Sequence, residues 1–215
     1  MIKENKFKIL VSSILILLPV LFGLSVWDKL PEKIAIHWGP NGIPDQYSSK
    51  LFAVVCMPVL VFAIHWICLL ISTLDPKNKN QHKKVVGLIF WICPAVSLIC
   101  SAFTYFDAFK IAFNIVGICI AFMGAMFIVI GNYMPKTKQN YTIGIKVSWA
   151  LNSEENWNAT HRFAGRLWVI GGIFLLPAAF LPVTFLPLVL IVILPLAIVP
   201  IIYSYLYYEK YEKGE

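Results

Sequence analysis

The sequence predicts an all-α membrane protein with six transmembrane helices. Of the residues, 59% are hydrophobic and 13% are charged, and the mean hydropathy is +0.76. These values lie outside the range of soluble domains with a polar exterior. Six windows are long and apolar enough to cross a bilayer, and the cationic residues are concentrated in alternate connections between them. We therefore expect residues 1–215 to form a single polytopic membrane domain in which lipid is the main solvent.

Each predicted span contains roughly 20 mostly apolar residues, the length needed to cross the hydrocarbon core. The first span follows a basic segment, as a signal peptide does. Its apolar run exceeds the roughly 7–15 residues of a signal-peptide core, and no clear A-x-A cleavage site follows, so an uncleaved signal anchor is favoured. The six windows are about 7–27, 51–74, 85–106, 111–131, 163–181 and 184–206.

The net charge of +7 is explained better by membrane topology than by nucleic-acid binding, because the cationic residues occupy particular loops. The positive-inside rule places both termini in the cytoplasm, in agreement with an even number of spans. On the predicted inner side lie Lys3, Lys6, Lys8, Lys77, Lys79, Lys83, Lys84, Lys136, Lys138, Lys146, Arg162, Arg166, Lys210 and Lys213; on the outer side lie Lys29, Lys33, Lys50 and Lys110.

Neither a disulfide nor a metal centre is predicted. All five cysteines fall inside predicted spans, where they are typical of small packing residues. A metal site would have to combine His65 and Cys68, at positions i and i+3, with Cys93 or Cys100, and no C-x-x-C spacing supports it. A neutral His65 that is hydrogen-bonded between helices is favoured over a transport role, because the spans contain no second buried acid or base.

A structured outer loop is expected at residues 28–50. Ile34, Ile36 and Trp38 alternate with polar or small residues, as in a strand, and the turn-rich run GPNGIPD follows. His37 and Asp45 could ligate a metal or take part in acid–base chemistry, but two residues specify neither. The candidate ligand-binding residues of this loop are His37, Trp38, Asn41, Gly42 and Asp45.

The longest inner segment, residues 132–166, combines an inner loop and a helix. An irregular, strand-like piece is expected at 141–149, followed by a helix that continues into the fifth span. Asn152 fits the N-cap and Glu155 fits the third helical position of a capping box. Asn158, His161, Arg162 and Gly165 then recur at i+3 and i+4 as one polar stripe.

No catalytic residues are predicted. The E-x5-H and E-x6-H spacings that link Glu155 and Glu154 to His161 match no familiar metal or nucleophile motif. No serine, cysteine or threonine stands beside a base in a nucleophile elbow. We expect neither enzymatic activity nor a cofactor.

Two stretches resemble the SdpI/YfhL family. LPEKIAIHWGPNGIPDQYSSK, residues 30–50, is similar to a membrane module of unassigned function found at the start of such proteins. The second stretch resembles the pattern G-[IL]-R-x-P-W-T-L…E…W…x-R-F-A, although Lys146 stands where the family usually has Arg and Ser148 where it has Pro. The partner-binding or structural residues that this resemblance suggests, with the capping residue Asn152, are Asn140, Gly144, Lys146, Trp149, Asn152, Glu155, Trp157, His161, Arg162 and Gly165.

The resemblance implies a toxin-immunity protein of the cytoplasmic membrane of Gram-positive bacteria. Such proteins protect cells from a secreted, membrane-active peptide, and some sequester a cytoplasmic ArsR-type repressor when the toxin is bound. The implied partners are the lipid bilayer, the peptide toxin and this repressor, with no direct contact to nucleic acid. A small transporter or exporter, a membrane-embedded metal-dependent hydrolase and a structural membrane subunit are the alternatives, and the oligomeric state is not indicated.

Overall fold

A computed structural model describes residues 3–181 and 185–213, and this part of the chain is mostly helical. One β-hairpin interrupts the helices between the first and second long segments. The elements are α1 (Lys6–Ser25), β1 (Lys33–Trp38), β2 (Pro44–Ser49), α2 (Met57–Leu74), α3 (Lys83–Ala108), α4 (Ile115–Tyr133), α5 (Ser148–Asn152), α6 (Glu154–Ala178), α7 (Phe185–Leu188) and α8 (Leu194–Tyr211).

The chain forms two compact units. The first contains α1, the hairpin, α2 and nearly all of α3, and the second contains the connection 75–85 and α4 to α8. In the first unit, side chains of α3 donate hydrogen bonds to backbone carbonyls of α1: Ser97 Oγ to Ile16 at 2.9 Å and Tyr105 Oη to Pro19 at 2.5 Å. Because lipid provides no hydrophobic driving force between helices, such bonds and close packing hold a membrane bundle together.

The predicted outer loop folds into an antiparallel hairpin in which Lys33 pairs with Ser49 and Trp38 with Pro44. The strand prediction is therefore confirmed, but its simple alternation is not. The register shifts between Ala35 and His37, where one extra residue on β1 makes a bulge. Ile34 and Ala35, which precede the bulge and point to opposite faces, are both buried, so both faces of β1 are covered at this end.

In the second unit, α4 and α6 approach each other at paired glycines. A Cβ built on Gly124 would lie 3.0 Å from the carbonyl oxygen of Gly172, and one built on Gly131 would lie 2.9 Å from that of Gly165. Only glycine permits this backbone-to-backbone contact, which is typical of close helix packing in membranes. The glycines are seven residues apart on each helix, so the contact follows one face of both helices.

Two helices contain a wide, π-helical turn shortly before a proline, as expected for a residue that lacks a backbone N–H. Pro58 follows a π-helical turn at Phe52–Cys56, and Pro195 follows another at Val189–Ile193. In each case the carbonyl four residues earlier lies inside the wide turn, where the proline ring would otherwise collide with it. Pro182, which lies between the predicted windows 163–181 and 184–206, is outside the described residues.

Five helical segments among the described residues are long and apolar enough to cross a membrane: Lys6–Ser25, Phe52–Leu74, Lys83–Ala108, Ile115–Lys136 and Leu190–Tyr211. They correspond to five of the six predicted windows. The remaining window, 163–181, falls in α6, whose first half is polar and which ends at Ala178. A sixth span and the cytoplasmic placement of the termini therefore remain predictions.

Replacing Gly165 by alanine tests the α4–α6 contact. The new Cβ would lie 2.7 Å from the carbonyl oxygen of Gly131, so we expect the free energy of unfolding to fall by about 1–3 kcal/mol. Gly87→Ala is the matched control, because nothing lies within 4 Å of a Cβ built there. It should be neutral or stabilise α3 by up to about 1 kcal/mol. Equal unfolding temperatures of both variants in detergent would contradict the contact.

Candidate functional site

The tip of the hairpin is shaped by its own hydrogen bonds. The Gly42 amide donates to the Gly39 carbonyl at 2.9 Å, and Gly42 adopts a φ of 76°, which glycine accommodates readily. Asn41 Oδ1 accepts from the Ile43 amide at 3.2 Å, as in an Asx turn. Asn41 and Gly42, two of the predicted ligand-binding residues, therefore also determine the turn.

His37 and Asp45 meet next to this turn. His37 Nδ1 lies 2.6 Å from Asp45 Oδ1, and the two side chains are 58% and 48% exposed. An ionised carboxylate can only accept hydrogen bonds, so Nδ1 carries a hydrogen and is the donor. The other ring nitrogen, Nε2, is then available to an external partner. The structure thus brings together the two residues that the sequence singled out for chemistry.

Trp38 connects the hairpin to aromatic residues of α3 and of the segment that follows it. Its ring meets Phe103 edge-on, with centroids 6.2 Å apart. Phe103 in turn stacks on Phe113 at 5.8 Å, and Phe106 meets Phe113 at 5.5 Å. These contacts favour a hairpin that is fixed in position, because aromatic pairs contribute more stability than the burial of their surface area alone provides.

In the second unit, polar side chains of the 75–85 connection hold the loop that follows α4. Asp75 Oδ2 accepts from the Tyr141 amide at 2.9 Å. Gln81 Nε2 donates to the Lys138 carbonyl at 2.9 Å, while its Oε1 accepts from the Lys138 amide at 2.8 Å. These bonds replace the regular backbone pairing that an irregular segment lacks.

Asn140 organises the same loop from inside. It is fully buried, and its Oδ1 accepts from the amides of Thr142 and Ile143 at 2.8 and 2.6 Å. Its Nδ2 donates to the carbonyls of Lys138 and Ile143 at 2.8 and 2.9 Å. The strand-like conformation expected at 141–149 is wrong, because this asparagine turns the chain and α5 begins at Ser148.

Three predicted residues, Gly144, Trp157 and His161, form a compact cluster. Trp157 and His161 are buried and stack with ring centroids 4.0 Å apart. Trp157 Nε1 donates to the Thr137 carbonyl at 2.7 Å. Gly144 has a φ of 119°, and a Cβ built there would lie 3.0 Å from the Trp157 ring. A side chain at residue 144 would be strained and crowded, so glycine is required.

His161 links the loop to α6 through both ring nitrogens. Nδ1 lies 2.8 Å from the Trp157 carbonyl, which only accepts, so Nδ1 carries the proton; Nε2 accepts from the Ile145 amide at 3.1 Å. Burial lowers the pKa of His161 from 6.5 to about 4, partly opposed by the Trp157 carbonyl. A neutral histidine with both nitrogens occupied stabilises the loop and is not placed to act as a free base.

The start of α6 corrects the predicted cap. Ser153, not Asn152, is the N-cap, and its hydroxyl accepts from the Asn156 amide at 3.1 Å. Asn152 is instead the last residue of α5, so Glu155 does not occupy the third helical position. Glu154 and Glu155 still lie in the first turn, where the helix dipole favours negative charge.

A buried polar contact that the sequence did not predict joins α6 to α8. Asn156 Oδ1 accepts from Ser204 Oγ at 2.6 Å, and Asn156 Nδ2 donates to the Ser204 carbonyl at 3.1 Å. Ser153 Oγ donates to Glu212 Oε1 at 2.6 Å beside them. A serine within an apolar segment was the available signal, since a buried hydroxyl needs a partner.

The remaining predicted residues of the inner segment are either packed against other helices or exposed on the surface. Trp149 packs edge-on against Tyr205 of α8 with centroids 5.4 Å apart, and Gly165 is buried against α4. The expected polar stripe on α6 is wrong, since His161 and Gly165 face inward and Arg162 faces outward. Four predicted residues are exposed: Lys146, Asn152, Glu155 and Arg162.

His65 matches the favoured reading of a histidine hydrogen-bonded between helices. It is fully buried in α2, and its Nε2 lies 3.0 Å from Ser12 Oγ of α1. Throughout residues 3–181 and 185–213, no group of three His, Cys, Asp or Glu side chains is placed to hold a metal ion.

Comparisons with known proteins find similarity over both units. The SdpI/YfhL protein family matches residues 136–204, and a domain of unknown function (DUF1648) matches residues 14–62. The chain is 29% identical to "Immunity protein SdpI" of Bacillus subtilis (strain 168) over 179 residues, which is 80% of this chain and 82% of that protein. No solved structure matches. With its apolar helices, the chain is a multi-pass cell-membrane protein.

The buried His161 predicts a pH dependence of stability. Its pKa in the folded protein is below the ordinary value, so protonation favours the unfolded chain. This stability is fully present above about pH 6.5 and is lost as the pH falls toward 4. At pH 5 the loss is about 2 kcal/mol. In His161→Gln the difference between unfolding temperatures at about pH 7 and 5 should shrink. An unchanged difference would contradict a buried neutral His161.

Proposed function

The chain belongs to the SdpI/YfhL protein family, and from that premise we propose that it is an immunity protein that protects bacteria from a secreted, membrane-active peptide. Similarity to an immunity protein over 80% of the chain is the observation that carries the proposal. The protein acts in the cytoplasmic membrane as a single polytopic domain. Protection is a binding function and requires no catalytic group.

The proposed arrangement has six spans with both termini in the cytoplasm. The asymmetric distribution of the cationic residues supports it, with 14 of the 18 on the inner side, which is the pattern that orients membrane proteins. In this arrangement the hairpin faces the outside, where a secreted peptide arrives. The loop that follows α4 and the start of α6 face the cytoplasm.

The hairpin tip is the proposed toxin-binding surface. His37 and Asp45 offer an exposed polar pair, and Ile43 and Tyr47 beside them are 62% and 56% exposed. Trp38 fixes this surface on α3 through Phe103. A rigid site that combines apolar area with a few polar groups loses little conformational entropy on binding a peptide.

A cytoplasmic ArsR-type repressor is the proposed second partner. Only exposed residues can contact it in the folded protein, which leaves Lys146, Asn152 and Glu155 near the end of the loop and around α5. Arg162 faces outward farther along α6. Toxin binding can change repressor affinity only if the toxin binds two states of the protein with different affinity.

Replacing Trp38 and Asp45 by alanine together tests the outer site. The change removes the anchor of the hairpin and the partner of His37, so we expect about tenfold greater sensitivity to a purified SDP-type toxin. Survival and membrane potential of a sensitive Gram-positive strain are the measurements. Gln46→Ala, an exposed change on the same hairpin, should protect as the wild type does. Full protection by the double variant at equal expression would refute the assignment.

A charge exchange, Lys146→Glu with Glu155→Lys, tests the inner surface without altering net charge. We expect the membrane fraction to retain about tenfold less of a co-expressed fluorescent ArsR-type repressor in the presence of toxin. The matched control exchanges Glu209 and Lys213, whose ion pair at 2.6 Å can re-form after the exchange. Retention equal to that of the wild type would exclude this surface. Equal losses in both exchanges would show a non-specific effect.

A further inference from the structure

The outward face of α6 carries two arginines in line with exposed apolar residues. Arg162 and Arg166 are exposed and are followed on the same helical face by Ile170, Ile173 and Phe174, which are 53%, 55% and 70% exposed. Spacings of three and four residues place all five on one side of the helix. The glycines that contact α4 lie on the neighbouring side, where Gly165 comes three residues after Arg162 and directly before Arg166. Packing therefore fixes the direction in which the arginines point.

Neither arginine has a counter-ion in the part of the chain that the structure describes. Across residues 3–181 and 185–213, no ion pair or side-chain hydrogen bond is made by Arg162 or Arg166. Glu155 lies on the same face but seven residues earlier, about 10 Å along the axis and out of reach of a direct pair. Two like charges at i and i+4 repel each other, so an external anion between them would be stabilising.

In the proposed six-span arrangement, in which α6 enters the bilayer, the apolar part of α6 brings this pair to headgroup depth. Twelve helical residues follow Arg166 before α6 ends at Ala178, a length of about 18 Å, which is well short of the roughly 30 Å hydrocarbon core. A short apolar segment is accommodated by local thinning of the bilayer and by long side chains that reach the interface. Both effects draw phosphate groups toward the guanidinium groups.

Lys136 supplies a third positive charge nearby. Gly165 packs against Pro135, since a Cβ built on Gly165 would lie 2.8 Å from Pro135 Cδ. Lys136 is the next residue and is exposed, with Nζ 4.9 Å from the centroid of the Tyr133 ring. The 3₁₀ turn Met134–Lys136 that follows α4 therefore brings this lysine to the part of α6 that carries the arginines.

We propose that Arg162, Arg166 and Lys136 bind the phosphate of an anionic phospholipid at the membrane surface. Guanidinium groups match phosphate with paired, charge-assisted hydrogen bonds, and the lysine adds a point charge. An anionic headgroup also leaves net negative charge to offset three cations, which a zwitterionic headgroup does not. The site rests on the membrane location of the chain and on the proposed insertion of α6, and it is independent of the role in immunity.

Native mass spectrometry of the full chain in neutral detergent tests the site, with phosphatidylglycerol or phosphatidylcholine as the added lipid. We expect the wild type to retain phosphatidylglycerol about tenfold more tightly than phosphatidylcholine. Arg162→Gln with Arg166→Gln should abolish this preference. The control with the same charge change, Lys83→Gln with Lys138→Gln, alters exposed lysines outside the proposed binding surfaces and should keep it.

Three results would overturn the proposal: no preference for phosphatidylglycerol in the wild type, an unchanged preference in the arginine variant, or an equal loss in the control. The last would show that total charge, not the site, attracts the lipid. If the double variant does not insert, Arg162→Gln and Arg166→Gln are measured separately, and each should weaken retention about threefold. Unchanged retention in both would also refute the site. Because the readout is lipid retention, failure of the immunity proposal is scored separately by survival.

Discussion

The contact between α4 and α6 at paired glycines is the constraint on which the second unit depends. This close approach fixes the rotation of α6 about its own axis. Gly165 and Gly172 lie on the face that meets α4, and turning this face away would bring larger side chains against the α4 backbone. Once that rotation is set, His161 and Trp157 must face the loop and Arg162 must face outward. One packing contact thereby decides which polar side chains of α6 are structural and which are available to bind.

The loop that follows α4 shows how an irregular segment is stabilised without strands or helices. Its amides and carbonyls are paired by side chains of Asn140, Gln81 and Asp75, and its far end is held by His161. Each of these polar side chains is itself buried or nearly so, which makes the pairing obligatory. The loop is consequently a fixed surface and not a flexible linker.

Composition and hydropathy suffice to predict five of the membrane helices, because the length of an apolar run is a local property of the sequence. The hairpin was also predictable from alternation and the GPNGIPD turn. The bulge near Ile36 was not, since it depends on how β1 packs against the helices.

The cap of α6 was misplaced by one residue because Asn152 and Ser153 are both good caps, and only the short helix α5 decides between them. Gln81 could not be identified at all, since its role requires Lys138, 57 residues later, as a neighbour.

The residues that carry the family resemblance separate into two physical classes. Asn140, Gly144, Trp157, His161 and Gly165 are inaccessible or largely enclosed, and each satisfies a turn, a hydrogen bond or a close approach. A side chain without exposed surface cannot distinguish one partner from another while the fold stays closed. These positions therefore specify the architecture, whereas selectivity for any binding partner must come from exposed residues such as Asp45 and Lys146. The two departures from the family pattern fit this division. Lys146, where the family usually has Arg, is exposed. Ser148, where the family usually has Pro, is the first residue of α5, a position that tolerates proline but does not require it.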